Sequence, residues 1–332
     1  MSEGLAAEVL IVTRTGDFHA TVIRDEIRRR GRSAAILETD RIGRGGLRWQ
    51  LDRPGSARCL DRDGGSVEIA AASVAWWRRL NGPGAFPDSL DESARDLALR
   101  DSRATLLGAL ATDFTGVYVS DPEATRAAEN KLVQLRAARA AGFTVPDTVV
   151  ASDPDAVRDF FAACGGEVVA KTLCGSPGQP FLTGRVHPEH LRPESIAHSP
   201  AIYQRYVPGR EHLRINAFGD RMVGARLVSD RLDWRYPLDC EVLPWQVPDD
   251  LARRLGSVLG LLGLRMGVFD LKLAGDDVVW LEVNPQGQFL WVEERCGLPL
   301  AGTFADFLLS QGDACVDATP DGVGGPSAVG SR

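Results

Sequence analysis

Three oxygen-bearing side chains near the C-terminal end carry the strongest chemical signal in the chain. Asp270 lies in the apolar run Gly267–Leu273. Glu282 and Asn284 lie in and just beyond the run Val278–Val283, and Gly275-Asp276-Asp277 joins the two runs. Read as a hairpin, strand alternation puts Trp280, Glu282 and Asn284 on one face and Val279, Leu281 and Val283 on the other. On the partner strand, Val268, Asp270 and Lys272 share a face. A three-residue loop sets Ala274 opposite Val278 and Asp270 opposite Glu282, whereas a two-residue loop would put the two acids on opposite faces. The three-residue register therefore gathers two carboxylates and an amide oxygen at one spot. Such hard oxygens suit Mg²⁺, with phosphates completing the shell. The competing expectation is a solvated outer face, common for hairpins. Trp280 on the same face and the rigid exit Pro285-Gln286-Gly287-Gln288 speak against it.

Other residues fit anion capture. Lys171 ends the Val-rich run Val168-Val169-Ala170 and precedes the Gly/Pro-rich stretch Gly175-Ser176-Pro177-Gly178-Gln179-Pro180. A lysine before a small-residue loop suits phosphate binding, the ammonium holding the anion while backbone N–H groups close over it. The spacing is not that of a P-loop. Lys131 stands at the start of a helix. Tyr203-Gln204-Arg205-Tyr206-Val207 ends at Pro208-Gly209, a break that frees backbone groups to pair with an adenine edge, with Glu211 or His212 in reach of a ribose hydroxyl. Arg214, Arg226 and Arg235 supply guanidinium groups for phosphate or carboxylate. Taken singly, each of these lysines and arginines is as readily a solvated surface residue.

These side chains need a scaffold. Val9–Thr13, a helix over Ala20–Arg30 and the strand Ser33–Leu37 make a βαβ start and a parallel sheet. No GxGxxG follows the first strand, so a dinucleotide site has no support. Further strands are expected at Val67–Ile69, Val74–Trp77, Val117–Val119, Thr148–Val150, Val168–Lys171 and Ala201–Val207, with a hairpin Leu213–Phe218/Arg221–Val228 turning at Gly219-Asp220. Helices are expected over Asp88–Asp113, Asn130–Ala141, Pro154–Cys164 and Leu251–Leu262. Trp76-Trp77-Arg78-Arg79 is an unusual strand end, and from Gly312 the composition predicts a disordered tail.

The chain has 332 residues, enough for two or three domains, with 44% hydrophobic and 25% charged residues. Its net charge of −7 argues against a nucleic-acid binder, although a local basic cluster can still oppose the global sign. None of the six cysteines forms a CxxC pair, so zinc-ribbon and thioredoxin readings fail, and free thiols in a reducing compartment are expected. His187-Pro188-Glu189-His190 reads as a surface loop rather than a zinc pair, since Pro188 interrupts a helix that could present both imidazoles. No run of about 18 apolar residues or basic N-terminal signal is present, so a cytoplasmic protein without a membrane span is expected.

Taken in order, Lys131, Lys171, Gln204 to Val207, Arg214, Asp270, Glu282 and Asn284 resemble the pattern of ATP-grasp ligases. The likeness is to the RimK-like branch and, within it, to the peptide-maturing ligases of microviridin-type (graspetide) pathways. Asn130-Lys131 with Gln134-Leu135 and Gly142 to Pro146 resembles the family's central helix. Asp233-Trp234-Arg235 resembles its DWR motif, and Phe269-Asp270-Leu271-Lys272 with Leu281-Glu282-Val283-Asn284-Pro285 through Glu293 resembles its metal segment. Trp76-Trp77-Arg78-Arg79 resembles an aromatic-Arg motif of its N-terminal domain.

The resemblance implies an α/β fold, α+β in the catalytic part: an ATP-grasp fold behind an N-terminal βαβ pre-ATP-grasp domain. The expected parts are residues 1–118, a central subdomain 119–200, a C-terminal subdomain 201–311 with the metal site, and the tail 312–332. It implies ATP and Mg²⁺ as cofactors. Lys131 and Lys171 would hold phosphates, and Gln204, Tyr206 and Val207 would line the adenine. Asp270, Glu282 and Asn284 would bind two Mg²⁺, and Arg214 and Arg235 would steady the γ-phosphate and an acyl phosphate. Family members carry an acid just before the Leu-Arg pair. Here His212 stands there with Glu211 before it, so the ribose contact falls to either.

The implied reaction activates side-chain carboxylates of a ribosomal precursor peptide (leader plus core) as acyl phosphates, which hydroxyl or amine side chains then attack to give esters or amides. The implied protein is a homo-oligomer without nucleic-acid or membrane partners. An amino-acid or peptide ligase of the same fold acting on a small carboxylate is the nearest alternative, and a non-catalytic nucleotide-binding regulator is the alternative of another class.

Overall fold

The structure, a computed structural model, describes residues 6–44, 46–80, 89–174, 182–235, 239–275 and 277–317. In chain order the elements begin with β1 (Val9–Thr13), α1 (Phe18–Arg29), β2 (Ala34–Glu38), β3 (Leu47–Arg48), β4 (Arg58–Leu60), β5 (Ser66–Glu68), β6 (Val74–Trp77), α2 (Glu92–Asp113) and β7 (Val117–Val119). There follow α3 (Pro122–Ala128), α4 (Lys131–Ala140), β8 (Thr148–Ala151), α5 (Pro154–Ala163), β9 (Val168–Lys171), β10 (Gly184–Arg185), α6 (Pro193–Ile196), β11 (Ala201–Arg205), β12 (Glu211–Phe218) and β13 (Arg221–Val228). The chain ends with β14 (Glu241–Trp245), α7 (Asp249–Leu261), β15 (Met266–Ala274), β16 (Asp277–Asn284), α8 (Leu290–Cys296) and α9 (Leu300–Asp317).

Two compact units result, one of Met1–Val119 with the chain from Ala301 on, the other of Ser120–Leu300. In the first, a parallel sheet runs in the order β2-β1-β6-β7. β1, β2 and β6 are buried throughout, as a parallel sheet covered on both faces requires, and the edge strand β7 is half-buried. Val12, Leu37 and Trp77 face one core with Leu106 and Leu110 of α2. Trp76 faces the other way and meets Phe304 of α9, ring centroids 4.7 Å apart. That contact explains two departures from the sequence reading. The expected boundary at 311 falls at Ala301, because α9 returns to the N-terminal sheet. The tail expected from Gly312 begins later, because α9 continues to Asp317 and Gly312 is buried against Ser73 and Val74. Residues 318–332 lie outside the described residues.

The second unit holds two antiparallel sheets, β10-β9-β11-β8 and β14-β13-β12-β15-β16. The larger packs on α4 and α7, where Leu251, Leu255, Val258 and Leu259 recur at helical spacing and bury against Phe269, Leu271 and Trp280.

The terminal hairpin corrects the expected register. Ala274 pairs with Asp277, so the loop has two residues and not three. Asp270 nevertheless pairs with Glu282, because the register shifts between Asp270 and Leu271, which pairs with Trp280. Leu281 is the extra residue of a β-bulge, and it re-aims the strand. Consequently Trp280 does not share the face of Glu282; it is fully buried among Phe143, Phe269 and Val283. Leu281 joins Glu282 and Asn284 on the open side.

Because Phe304 fastens α9 over Trp76, Phe304→Ala should destabilise the N-terminal unit by about 3–5 kcal/mol. Chemical denaturation followed by tryptophan fluorescence checks this, and an unchanged midpoint would show that α9 is held otherwise.

Candidate active site

The site is built from the inside of the second unit outward. Asn130 caps α4 by accepting the Leu132 amide at 2.9 Å, which makes Lys131 the first helical residue. One turn on, buried Gln134 donates to the Ala128 carbonyl (2.6 Å) and accepts the Val283 amide (3.1 Å). Gln134 thereby pins the helix to β16, and Lys131 reaches Glu282 at 2.6 Å. On the sheet below, Arg214 of β12 stands opposite Asp270 of β15. It donates to both carboxylate oxygens at 2.7 Å and to the Gln288 carbonyl at 2.8 Å. Asn284 bridges the two acids, its Nδ2 lying 3.3 Å from Asp270 and 3.5 Å from Glu282. Arg235 lies 3.8 Å from Glu282 and is itself held by Asp233 at 2.7 Å. Asp233 also accepts the Thr183 amide at 3.1 Å.

The wall across the cavity comes from the smaller sheet. Lys171 donates to Gln204 at 3.0 Å, and Gln204 donates to Thr148 at 2.8 Å, a chain that fixes the ammonium at the strand end. The Tyr206 ring lies under Arg185, 3.5 Å from its centroid, with Lys272 at 5.4 Å.

Together these side chains line one cavity of about 530 Å³, within the range for nucleotide-sized ligands. Of the residues expected from sequence it brings together Lys131, Lys171, Gln204, Tyr206, Val207, His212, Arg235, Asp270, Glu282 and Asn284. Two expectations are corrected. Arg214 is not in the lining; it is buried behind Asp270, whose charge it neutralises. Glu211 is not in it either, because alternation along β12 turns it toward Arg226, 3.1 Å away, while His212 faces the cavity. The Gly/Pro stretch 175–180 lies outside the described residues. Gln134, Asp233 and Lys272 carry the site's positioning and charge without having been singled out individually. Gln134 and Asp233 stood only inside longer motifs, and the signal for Lys272 was its place two residues from Asp270.

The field inside opposes the chain's net charge. Five cationic side chains (Lys131, Lys171, Arg205, Arg235 and Lys272) line the cavity with three acidic ones. Burial raises the Asp270 carboxyl above its ordinary range, Glu282 adding to the rise and Arg214 opposing it. Burial also pushes Glu282 upward, but Lys131, Lys171 and Arg235 outweigh it and hold the carboxyl at about 2. Burial lowers Lys171 to about 8, helped by Lys131 and Arg235 against the pull of Glu282. His212 falls to about 4, first through burial and then through Lys272, and neither ring nitrogen has a hydrogen-bond partner among the described residues.

Among the described residues no group of three or more His, Cys, Asp or Glu is placed to hold a metal. The trio offers two carboxylates and an amide. Their convergence within hydrogen-bond distance through Asn284, on a wall facing a cationic cavity, fits a hard divalent ion that shares its shell with phosphate. Asp270, Glu282 and Asn284 would hold it.

This architecture is the ATP-grasp fold, preceded in the chain by a pre-ATP-grasp domain. Residues 8–122 match the family described as the MvdD pre-ATP grasp domain. Macrocyclase MdnC from Microcystis aeruginosa MRC, solved bound with precursor peptide MdnA, superposes with a TM-score of 0.81 at 26% identity, over 91% of this chain and 99% of that one. Macrocyclase MdnB from the same organism gives a TM-score of 0.76 at 27% identity, over 91% of this chain and 98% of that one. The Chryseobacterium gregarium RiPP-associated ATP-grasp ligase, solved with ADP and a leader and core peptide, gives 0.80 at 21% identity over 92% and 97%, a likeness of fold. Beta-citrylglutamate synthase B of Danio rerio is 28% identical over 206 residues, 58% of this chain, and the match spans half the length of that relative. The resemblance read from the sequence is thus borne out. Among the described residues no helix is long and apolar enough to cross a membrane.

Lys171 supplies a test of the cavity as a phosphate site. With its pKa at about 8, the ammonium is present below that pH and is lost above it. The affinity for Mg²⁺–ADP should therefore fall as pH rises through 8, by roughly tenfold per unit at most, and Lys171→Met should flatten the profile. Calorimetry from pH 7 to 9 checks it; a flat wild-type profile removes Lys171 from the site.

Proposed function

We propose that this chain is an ATP-dependent ligase that joins side-chain carboxylates of a ribosomal precursor peptide to hydroxyl or amine side chains of the same peptide. The observation that carries this reading is the convergence of Asp270, Glu282 and Asn284 with Lys131 and Lys171 on one cavity. The similarity to MdnC and MdnB supports a peptide as the substrate.

In this reading the γ-phosphoryl group of ATP moves to a carboxylate, giving an acyl phosphate and ADP. Attack by a hydroxyl or amine then releases phosphate and leaves an ester or amide. Phosphoryl transfer needs charge neutralisation and alignment more than a protein nucleophile. A divalent ion, which Asp270, Glu282 and Asn284 would hold, would supply that neutralisation. The residues do the rest. Gln204 aims Lys171 at the phosphates. Lys131, paired with Glu282 at 2.6 Å, stands at the same cavity wall, where its ammonium would reach phosphate. Arg235, at the cavity mouth and anchored by Asp233, is placed to meet charge developing on the transferred group. Arg214 contributes as a positioning residue, holding buried Asp270 and opposing the rise that burial imposes on its carboxyl. Leu182, Val169 and Leu281 offer apolar walls to a base, and His212, opposite Lys272 on β15, faces the same cavity.

A second reading is favoured by the relative from Danio rerio, a synthase of a small molecule by its name: a ligase of a free carboxylic acid. ADP formation with free amino acids and no peptide distinguishes it.

The test is mass spectrometry after incubation with ATP, Mg²⁺ and a precursor peptide rich in Thr, Ser, Glu and Asp encoded beside the gene. One water is lost for each link formed. Glu282→Gln should cut the yield roughly 100-fold or more while leaving the fold intact by circular dichroism; full yield would refute the assignment of Glu282.

A further inference from the structure

The Trp76-Trp77-Arg78-Arg79 segment belongs to the first unit and takes no part in the nucleotide cavity. It ends β6 at a particular place in the sheet. The chain leaves β1 for β2 on one side and returns to β6 on the other, so the connections diverge between β1 and β6. In open α/β sheets the crevice outside the carboxyl ends of such strands is where ligands bind. The backbone amides of Arg78 and Arg79 both donate to the Val12 carbonyl, at 3.0 and 3.2 Å, which seats them at that crevice.

Facing them is Asp17, the N-cap of α1. Its carboxylate takes the Nε of Arg78 at 2.6 Å, the Thr13 hydroxyl at 2.7 Å and the His19 amide at 3.1 Å, with Arg79 at 3.9 Å. One carboxylate thus serves two guanidinium groups. A third charge, on Arg14, is close enough to disfavour the cation of Arg78. The neighbouring acid Asp40 is engaged by the Thr15 amide and hydroxyl at 2.9 and 3.1 Å. The first turn of α1 carries no acidic side chain, so its amide end adds to the positive potential. His19 is neutral above about pH 4, through burial and then Arg78, and brings no competing charge.

Arg78 is 1% exposed, its guanidinium 5.1 Å from the Trp76 ring centre, an expensive place for a cation. Arg79 keeps part of its side chain in solvent, and above Gly16 a methyl group would meet no atom within 4 Å. Phe18, 68% exposed, lends an apolar rim. A cationic floor, a partly exposed guanidinium on Arg79 and room beside Gly16 suit a planar oxyanion presented on a chain.

We propose that this crevice, formed by Arg14, Arg78 and Arg79, binds an acidic side chain of the peptide substrate. The choice of a peptide rests on the function proposed above; the cationic crevice does not. The experiment uses the full chain and a fluorescein-labelled synthetic peptide of Glu, Thr, Ser and Gly, with its Gln-for-Glu counterpart, read by fluorescence anisotropy. The Glu peptide should bind and the Gln peptide should not. Arg79→Gln and Arg14→Gln should each weaken binding by about tenfold or more, with Arg79→Lys recovering part of the loss and Mg²⁺–ADP affinity unchanged throughout. Equal affinity for the two peptides, or unaltered affinity in both Gln variants, overturns the site. Displacement by inorganic phosphate at concentrations matching the peptide overturns the assignment to a peptide carboxylate. A failure of the ligase reading looks different: no water-loss product forms, while the dependence on Glu and Arg79 persists.

Discussion

Two carboxylates placed side by side beneath a sheet repel each other and lose their hydration, so they stay ionised only where cations surround them. Asp270 and Glu282 meet this condition with a division of labour. Arg214 holds the deeper acid through a buried contact to both its oxygens, and Lys131 holds the outer one from a helix terminus. The rest of the second unit can be read as the means of bringing those cations there. The Asn130 cap starts α4 in the right place, Gln134 ties the helix to β16, and the pairing of β12 with β15 sets Arg214 opposite Asp270. Removing one partner of such a buried pair leaves an uncompensated charge, which is why these contacts are coupled rather than additive.

The two cation partners differ in what they permit. A guanidinium whose Nη1 is shared between both Asp270 oxygens and whose Nη2 is tied to the Gln288 carbonyl has little freedom to exchange. A lysine ammonium on a flexible stem is a point charge that can move to a neighbouring anion. The outer acid is therefore the one whose partner can change as ligands arrive, and it is the one held lowest in pKa. Lys171 sits on the opposite wall under the reverse condition, a cation weakened by burial and by like charges, waiting for negative charge.

Much of this was legible in the sequence, and the failures are informative. Asp270, Glu282 and Asn284 were found because period-two alternation is a strong local signal. Their register was reached through the wrong turn. A loop of two residues plus a bulge at Leu281 gives the same Asp270–Glu282 pairing as a loop of three residues, and no residue in Leu281-Glu282-Val283 advertises a bulge. The cost of the wrong turn is Trp280, set by alternation on the face of Glu282 and found in the core. Glu211 and His212 were left as alternatives although strand parity separates them, since the first residue of β12 was placed too late. Helix α9 is not legible in the sequence because its apolar stripe continues into a Gly- and Ala-rich stretch, and only the packing of Phe304 on buried Trp76 reveals what the helix covers.

The same logic of shared charge recurs in the first unit, where Asp17 answers to Arg78 and Arg79 at the carboxyl end of a parallel sheet. The contrast with Asp270 is in the ratio. At Asp270 and Glu282 the cations and anions nearly balance, and the imbalance is left to a nucleotide and its metal. At Asp17 one carboxylate accepts from Thr13, from two backbone amides of α1 and from Arg78, with Arg79 3.9 Å away. A helix cap is a poor counter-ion, because its oxygens are committed to N–H groups whose geometry it cannot leave. Arg79 is therefore the less well satisfied of the two guanidiniums, and it is also the one that solvent, or an incoming carboxylate, can reach.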